Sequence, residues 1–353
     1  MDGLRMNGMH DADVLKRNAD KVPTAISFEP ALLDVQNLRA YFPISRGQLI
    51  KRQVGQVKAV DGVSLSIRKG EVMGLVGESG CGKSTLARCV IKLQPPSGGR
   101  VLFDGEDIWA MDRAATGRLR RRMQAVFQDP YSSLNPRMRV ADIVGEPIWI
   151  HERPTSHELD RNVGELMELC GLPRRLGDRF PHEMSGGQRQ RVGIARALAL
   201  RPDFVVCDEA VSALDVSIQA QIINLLEDLR TELGLTYLFI GHDLSVIRHL
   251  CDRVAVMYLG KLVEIGTSEE LFERPKHPYT QALLESVPIP DPEIENERAH
   301  QILPGEVPSP LNPPTGCVFH PRCRLAIEAC RSEPPRLQPI DEGHLVACPI
   351  VNS

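Results

Sequence analysis

The chain has 353 residues, room for two or three domains at about 150 residues each. Hydrophobic residues make up 42% and charged residues 25%, ordinary globular usage that excludes wholesale disorder. Forty-two Lys and Arg against 46 Asp and Glu leave a net charge of −4, so no overall basic field recruits nucleic acid.

Residues 1–30 lack periodicity and read as a mobile tail, and their acids and bases surround no apolar h-region of a signal peptide. From Leu32 short alternating runs begin. Val63, Leu65 and Ile67 alternate with Ser64, Ser66 and Arg68, the period of a half-buried strand. The denser run Val72–Val76 predicts a strand covered on both faces. A glycine-rich turn follows it, then a helix over about 83–93. Further buried-type strands are expected near 124–127, 203–207 and 236–240, with helices near 156–170, 187–200 and 217–232. Strands alternating with helices indicate a parallel α/β sheet. No apolar run approaches the roughly 20 residues that span a bilayer, so the chain reads as cytosolic. From about 288 a Pro-, Glu- and Asn-rich stretch marks a linker, and a Pro- and Cys-rich tail follows.

Gly77-Glu78-Ser79-Gly80-Cys81-Gly82-Lys83-Ser84-Thr85 fits G-x-x-x-x-G-K-[ST] between a strand and a helix. Glycines let backbone N–H groups close around an anion, and the helix N-terminus adds partial positive charge. Lys83 can reach β- and γ-phosphates, and the Ser84 hydroxyl can ligate Mg²⁺. The strand near 203–207 runs into Asp208-Glu209, acids at the edge where parallel sheets bind ligands. Asp208 would hold Mg²⁺ through its water shell, and Glu209 would orient and deprotonate the attacking water. The basic run Arg118-Leu119-Arg120-Arg121-Arg122 reads as a solvated helix face, and Cys89, Cys170 and Cys207 as packing residues.

Met184-Ser185-Gly186-Gly187-Gln188 resembles the signature of ABC-transporter ATPases, with Met where Leu is usual. Gln128 in Val126-Phe127-Gln128-Asp129-Pro130 resembles the Q-loop, Ser212-Ala213-Leu214-Asp215 the D-loop, and His242 the switch histidine. Phe42, beside Tyr41, is similar to the aromatic that stacks on adenine. The resemblance covers about 31–275. It implies a nucleotide-binding domain with a parallel-sheet core, an antiparallel β subdomain and a helical subdomain. It implies two such subunits sandwiching two ATP molecules, with Ser185 and Gly187 of one reaching the γ-phosphate held by the other. The helix starting near Gln188 would aim its N-terminus at that anion. Gln128 would ligate Mg²⁺ and sense the γ-phosphate, and His242 would position Glu209 and the water.

The extended segment Phe127–Arg137 and His277-Pro278-Tyr279-Thr280-Gln281-Ala282-Leu283-Leu284 are similar to ATPases of oligopeptide and dipeptide importers. The stretch 51–60 resembles the F-type member of their heterodimeric pair. That family implies two transmembrane permeases, a paralogous ATPase and a substrate-binding receptor, with this chain peripheral on the cytoplasmic face of the membrane. Related importers carry nickel or glutathione. A soluble, non-transport ABC ATPase is the remaining class, but those usually carry two fused halves or a long insertion, whereas Met184 follows Gln128 by 56 positions. Residues 276–353 would be the C-terminal extension of this family. Its Cys317, Cys323, Cys330 and Cys348, spaced x5, x6 and x17, suggest a metal staple. The spacing lacks paired C-x₂-C knuckles of common zinc sites, and the resemblance implies a [4Fe–4S] cluster ahead of zinc.

Overall fold

The computed structural model describes residues 31–46, 52–212, 214–286 and 305–351. The tail 1–30, the linker read from about 288 to 304, and Ala213 lie outside the described residues. In chain order, β1 (Ala31–Arg46) and β2 (Arg52–Arg68) precede β3 (Val72–Val76) and α1 (Lys83–Val90). Then come β4 (Gly98–Phe103), β5 (Glu106–Asp107), α2 (Arg113–Arg122) and β6 (Met123–Val126). A helical stretch holds α3 (Pro130–Ser133), α4 (Val140–Glu152), α5 (Ser156–Leu169) and α6 (Gly186–Leu198). After it run β7 (Phe204–Asp208), α7 (Val216–Leu233), β8 (Thr236–Ile240), α8 (Leu244–Leu250), β9 (Arg253–Tyr258), β10 (Lys261–Thr267) and α9 (Ser268–Glu273). Last are α10 (Pro278–Glu285), α11 (Ala329–Ser332), β11 (Gln338–Asp341) and β12 (His344–Val346).

The main sheet has the order β11-β12-β10-β9-β3-β8-β7-β6. Its run from β9 to β6 is parallel, while β10, β12 and β11 add on antiparallel. Every residue of β3, β7 and β8 is buried, which is why these strands read as unbroken apolar runs. Their alternate residues nonetheless serve different layers. Val72, Val205, Tyr237 and Phe239 join a core with α4, α6 and α7, whereas Met73, Val206, Leu238 and Ile240 face the other way. That second core is closed by the antiparallel sheet β2-β1-β4-β5, whose Leu33, Val35, Val63, Leu65 and Ile67 point inward. Both elements implied by the resemblance, an antiparallel β layer and a group of helices between β6 and β7, are therefore present. The α2 arginines are more engaged than a merely solvated face. Arg121 pairs with Glu152 at 2.6 Å, and Arg122 pairs with Asp203 at 2.5 Å and Asp104 at 2.9 Å.

The tail beyond the linker departs furthest from the sequence reading. Its β12 pairs with β10, setting Glu264 opposite Val346, so two short strands lengthen the main sheet. Cys317, Val318, Phe319 and Cys330 sit in the principal core. Among the described residues, no three His, Cys, Asp or Glu side chains stand where they could hold one metal ion. The expected iron–sulfur or zinc centre on Cys317, Cys323, Cys330 and Cys348 is thus not supported. Cys317, Cys330 and Cys348 are buried and behave as small apolar packing groups, Cys323 is half-buried, and burial pushes the Cys317 thiol up to about 11. What crowds these residues together is core packing, with the Cys317 N–H donating to the Cys330 carbonyl at 2.8 Å.

One joint holds this tail to the sheet. Glu264 of β10 is fully buried and accepts from the amides of Lys276 (2.8 Å) and His277 (2.9 Å) and from His344 Nε2 (2.7 Å). His277 caps α10, its Nδ1 accepting from the Tyr279 amide at 3.0 Å, with Pro278 at the first helical position. Burial holds the His277 imidazole down at about 4, against its ordinary 6.5. Between those values the unfolded chain binds a proton there and the folded chain does not. Stability from this residue is therefore whole above about pH 6.5 and drains as pH falls toward 4, by at most about 3 kcal/mol. Denaturant melts from pH 7.5 to 4.5 should show that loss in the wild type. A His277→Asn variant, which keeps a cap acceptor without the titration, should show a flatter profile.

Candidate active site

The phosphate loop leaves the C-terminal end of β3 and enters α1. Its shape demands glycine at two places above all. Gly77 has φ of 150° and Gly82 of 112°. A Cβ on Gly77 would sit 2.1 Å from the Met257 carbonyl oxygen, and one on Gly82 would sit 2.0 Å from that of Ala59. No side chain caps α1, so its first N–H groups stay available to an anion. Lys83 is buried, its Nζ donating to the carbonyls of Gly77 (2.7 Å) and Glu78 (3.1 Å). Ser84 Oγ donates to Asp208 Oδ1 at 3.1 Å. Burial, aided by the neighbouring Glu209, raises the Asp208 carboxyl above its usual range despite that bond. A hydroxyl and a buried carboxylate make a hard oxygen pair, the donor chemistry Mg²⁺ requires, so these residues fit that ion.

Three residues far apart in sequence converge on the end of β7. Gln128 Nε2 donates to Glu209 Oε2 at 2.6 Å, and His242 Nδ1 lies 3.8 Å from the same oxygen. Glu209 itself has φ of 49°, a left-handed conformation that costs a non-glycine residue on the order of 1 kcal/mol or more. The Glu209 N–H donates to the Ile240 carbonyl at 2.9 Å, and Ser212 Oγ donates to the Glu209 carbonyl at 3.0 Å. The turn is thereby held in spite of its strain.

Ser185, Gly187, Gln188 and Phe42 lie elsewhere in this fold. Ser185 caps α6: its Oγ accepts from the Gln188 amide at 3.3 Å, and Gln188 Oε1 accepts from the Ser185 amide at 3.0 Å. The Gln188 side chain is thus spent on the cap. Gly187 is buried, and a Cβ there would lie 2.4 Å from Ile218 Cγ2. Among the described residues, no hydrogen bond of this signature reaches the phosphate loop. Half-buried Phe42 pairs with Val57 across the β1–β2 ladder, two residues before the Ala59 carbonyl that abuts Gly82. Tyr41 beside it is already engaged, donating its hydroxyl to Asp61 Oδ1 at 2.5 Å.

Sequence reasoning missed a second set of residues at the phosphate loop. The Glu78 amide donates to Tyr279 Oη at 2.9 Å, and the Glu78 carboxylate pairs with Arg322 Nη1 at 3.0 Å. Tyr279 lies within a segment marked only by resemblance. Arg322 lies in the cysteine tail, and nothing local to it announces a role.

The segment 60–212 matches the family model described as ABC transporter, and 263–330 matches that of the oligopeptide/dipeptide transporter C-terminal region. Over 321 residues the chain is 51% identical to the oligopeptide transport ATP-binding protein AppF of Bacillus subtilis, spanning 91% of this chain and 97% of that one. It is 51% identical to the probable peptide ABC transporter ATP-binding protein y4tS of Sinorhizobium fredii, over 90% of this chain and 89% of that one. Among solved structures it is similar to the cassette MJ0796, dimeric and bound to ADP and Pi (TM-score 0.60, 28% identity, covering 67% of this chain and 98% of that one). It is also similar to cbiO1 of Clostridium perfringens, part of an ABC transporter complex (TM-score 0.59, 30% identity, 70% and 93% covered). A complete phosphate loop, an acid pair at the strand end and a matching C-terminal region agree with these likenesses: the chain belongs to the ATP-binding proteins of the oligopeptide/dipeptide ABC transporter family.

Proposed function

We propose that this chain hydrolyses ATP to drive import of di- or oligopeptides, working on the cytoplasmic face of the membrane with two permeases, a receptor and a paralogous ATPase. The observation that carries this reading is the meeting of Gln128, Glu209 and His242 at one carboxylate, on a strand whose Asp208 pairs with the loop residue Ser84. Among the described residues no helix is long and apolar enough to cross a membrane; in this reading the permeases supply the path. Residues 31–275 carry the ATPase, and 276–353 act as its extension.

Lys83 and the α1 amides would hold the phosphates, with Gly77, Glu78, Ser79, Gly80, Cys81, Gly82 and Thr85 shaping the cradle. Ser84, Asp208 and Gln128 would hold Mg²⁺, which when bound neutralises charge developing on the phosphates. Glu209 takes the proton from water and His242 orients that pair. Gln128 already occupies Glu209, so moving the Q-loop and freeing the base are a single event. Phe42 stacks on the adenine, while Ser185, Gly187 and the Gln188-ordered start of α6 serve the nucleotide of the second subunit.

Gln128 also adjoins the surface that would meet a permease. A cleft of about 440 Å³ is lined by Leu93, Phe127, Glu146, Pro147, Ile150 and Arg196. Trp149 beside it on α4 is 64% exposed. An exposed apolar surface of this kind next to the Q-loop is suited to a permease helix, and its movement would reach Glu209 through Gln128.

The iron–sulfur centre has no place in this mechanism, because the thiols as folded do not form a ligand set. ATP turnover by the intact complex, isolated through this chain and supplied with receptor, tests the reading. Dipeptides or longer peptides should stimulate turnover. Stimulation by nickel chelates or glutathione alone would discard the peptide substrate, and absence of any co-purifying permease would discard transport.

A further inference from the structure

Glu78 occupies a free position of the phosphate-loop pattern, yet it is gripped from three sides. Its amide donates to Tyr279 Oη at 2.9 Å, its carbonyl accepts from Lys83 Nζ at 3.1 Å, and both its carboxylate oxygens lie 3.0–3.1 Å from Arg322 Nη1. Two of these three partners come from the C-terminal extension. Neither is a loose surface group. Tyr279 is fully buried and Arg322 is 7% exposed. Tyr258, Tyr279 and Phe319 form a ring cluster with centroids 4.6–5.3 Å apart, and Arg322 lies over the Tyr258 ring at 6.0 Å. Tyr258 ends β9 next to Met257, whose carbonyl abuts Gly77.

We propose that Arg322, together with Tyr279, is a positioning residue of the ATP site. Through them the C-terminal extension sets the shape and the charge of the phosphate loop. The physical reason has two parts. A carboxylate in a loop built to receive a polyanion repels that ligand, and only a fixed cation beside it cancels the effect. An amide already donated to Tyr279 is also withdrawn from the anion, so Glu78 shapes the loop without donating its own N–H to the phosphates. Arg322 is suited to this because its guanidinium stays charged even when buried, and its Nη1 sits between both carboxylate oxygens. The extension then makes ATP affinity conditional on its own folding. This inference rests on residues 77–84 being the phosphate site of the proposed function.

The test uses the assembled transporter and reads KM for ATP separately from kcat. Arg322→Gln should raise KM about tenfold with a much smaller change in kcat, because the uncancelled charge opposes binding. The double variant Arg322→Gln with Glu78→Gln removes both charges and should bring KM most of the way back. A merely structural arginine would lower Tm and kcat with it, whereas an uncancelled charge raises KM at unchanged Tm and does so less as ionic strength rises. Unchanged KM in Arg322→Gln, or a double variant no better than the single, overturns the proposal. If Arg322→Gln fails to assemble, Tyr279→Phe, which removes only the acceptor of the Glu78 amide, carries the test. Its KM should rise about threefold, and an unchanged value overturns the proposal as well. Lys83→Ala is the control: if it too leaves KM and turnover at wild-type values, the assignment of the phosphate site itself is at fault.

Discussion

Glu209→Gln should lower ATP turnover of the assembled complex by at least about 100-fold while leaving ATP binding intact, since it removes the base and keeps the shape. The amide can still meet Gln128 and His242, so the site stays assembled around a group that cannot accept the proton. The unusual backbone at this residue supplies a second arm. With φ of 49°, position 209 is strained for any side chain, and Glu209→Gly relieves that strain. That variant should therefore lose turnover to a similar degree without losing thermal stability. Single-turnover hydrolysis and melting of both variants separate chemistry from folding. Turnover near the wild-type rate in Glu209→Gln would remove Glu209 from the role of base.

The second large effect is expected far from the nucleotide. His344→Ala removes the 2.7 Å side-chain donor from the buried Glu264 carboxylate, while the amides of Lys276 and His277 remain. Losing one partner of a buried pair costs about 3 kcal/mol, and Tm should fall by about 6 °C or more. His344→Gln, which keeps a donor within reach, should recover much of that. Glu264→Leu should be worse than Gln at 344, because it orphans the amides of Lys276 and His277 at the entry to α10. Burial raises the Glu264 carboxyl, but donors from His344, Thr280 and those amides outweigh it and hold the group below its ordinary range. Its contribution is therefore present above about pH 4.5 and is lost as pH falls further, the same sense as at His277. Acid should loosen the extension first, and with it the Tyr279 and Arg322 contacts to the phosphate loop. A Tm unmoved by His344→Ala would show that the joint carries little of the fold.

Much of the molecule is determined by short stretches of sequence. Val72–Val76 is a strand because four apolar side chains around Gly74, covered on both faces, can be little else beside a glycine turn. The helix read over 156–170 is α5 at Ser156–Leu169, started by a Thr155 and Glu158 capping box. The helix read over 217–232 is α7 at Val216–Leu233, closed by Gly234 in a left-handed cap. The phosphate loop was legible for the same reason: its glycines answer to the backbone itself. What the tertiary structure alone decided are pairings between distant residues. Gln128 and Glu209 are 81 positions apart and Glu78 and Arg322 are 244 apart, separations at which no periodicity or cap leaves a local trace. The cysteines show the same limit from the other side. Their crowding in sequence suggested a metal, but the fold uses three of them as buried packing, because burial favours a neutral thiol whose sulfur has apolar neighbours.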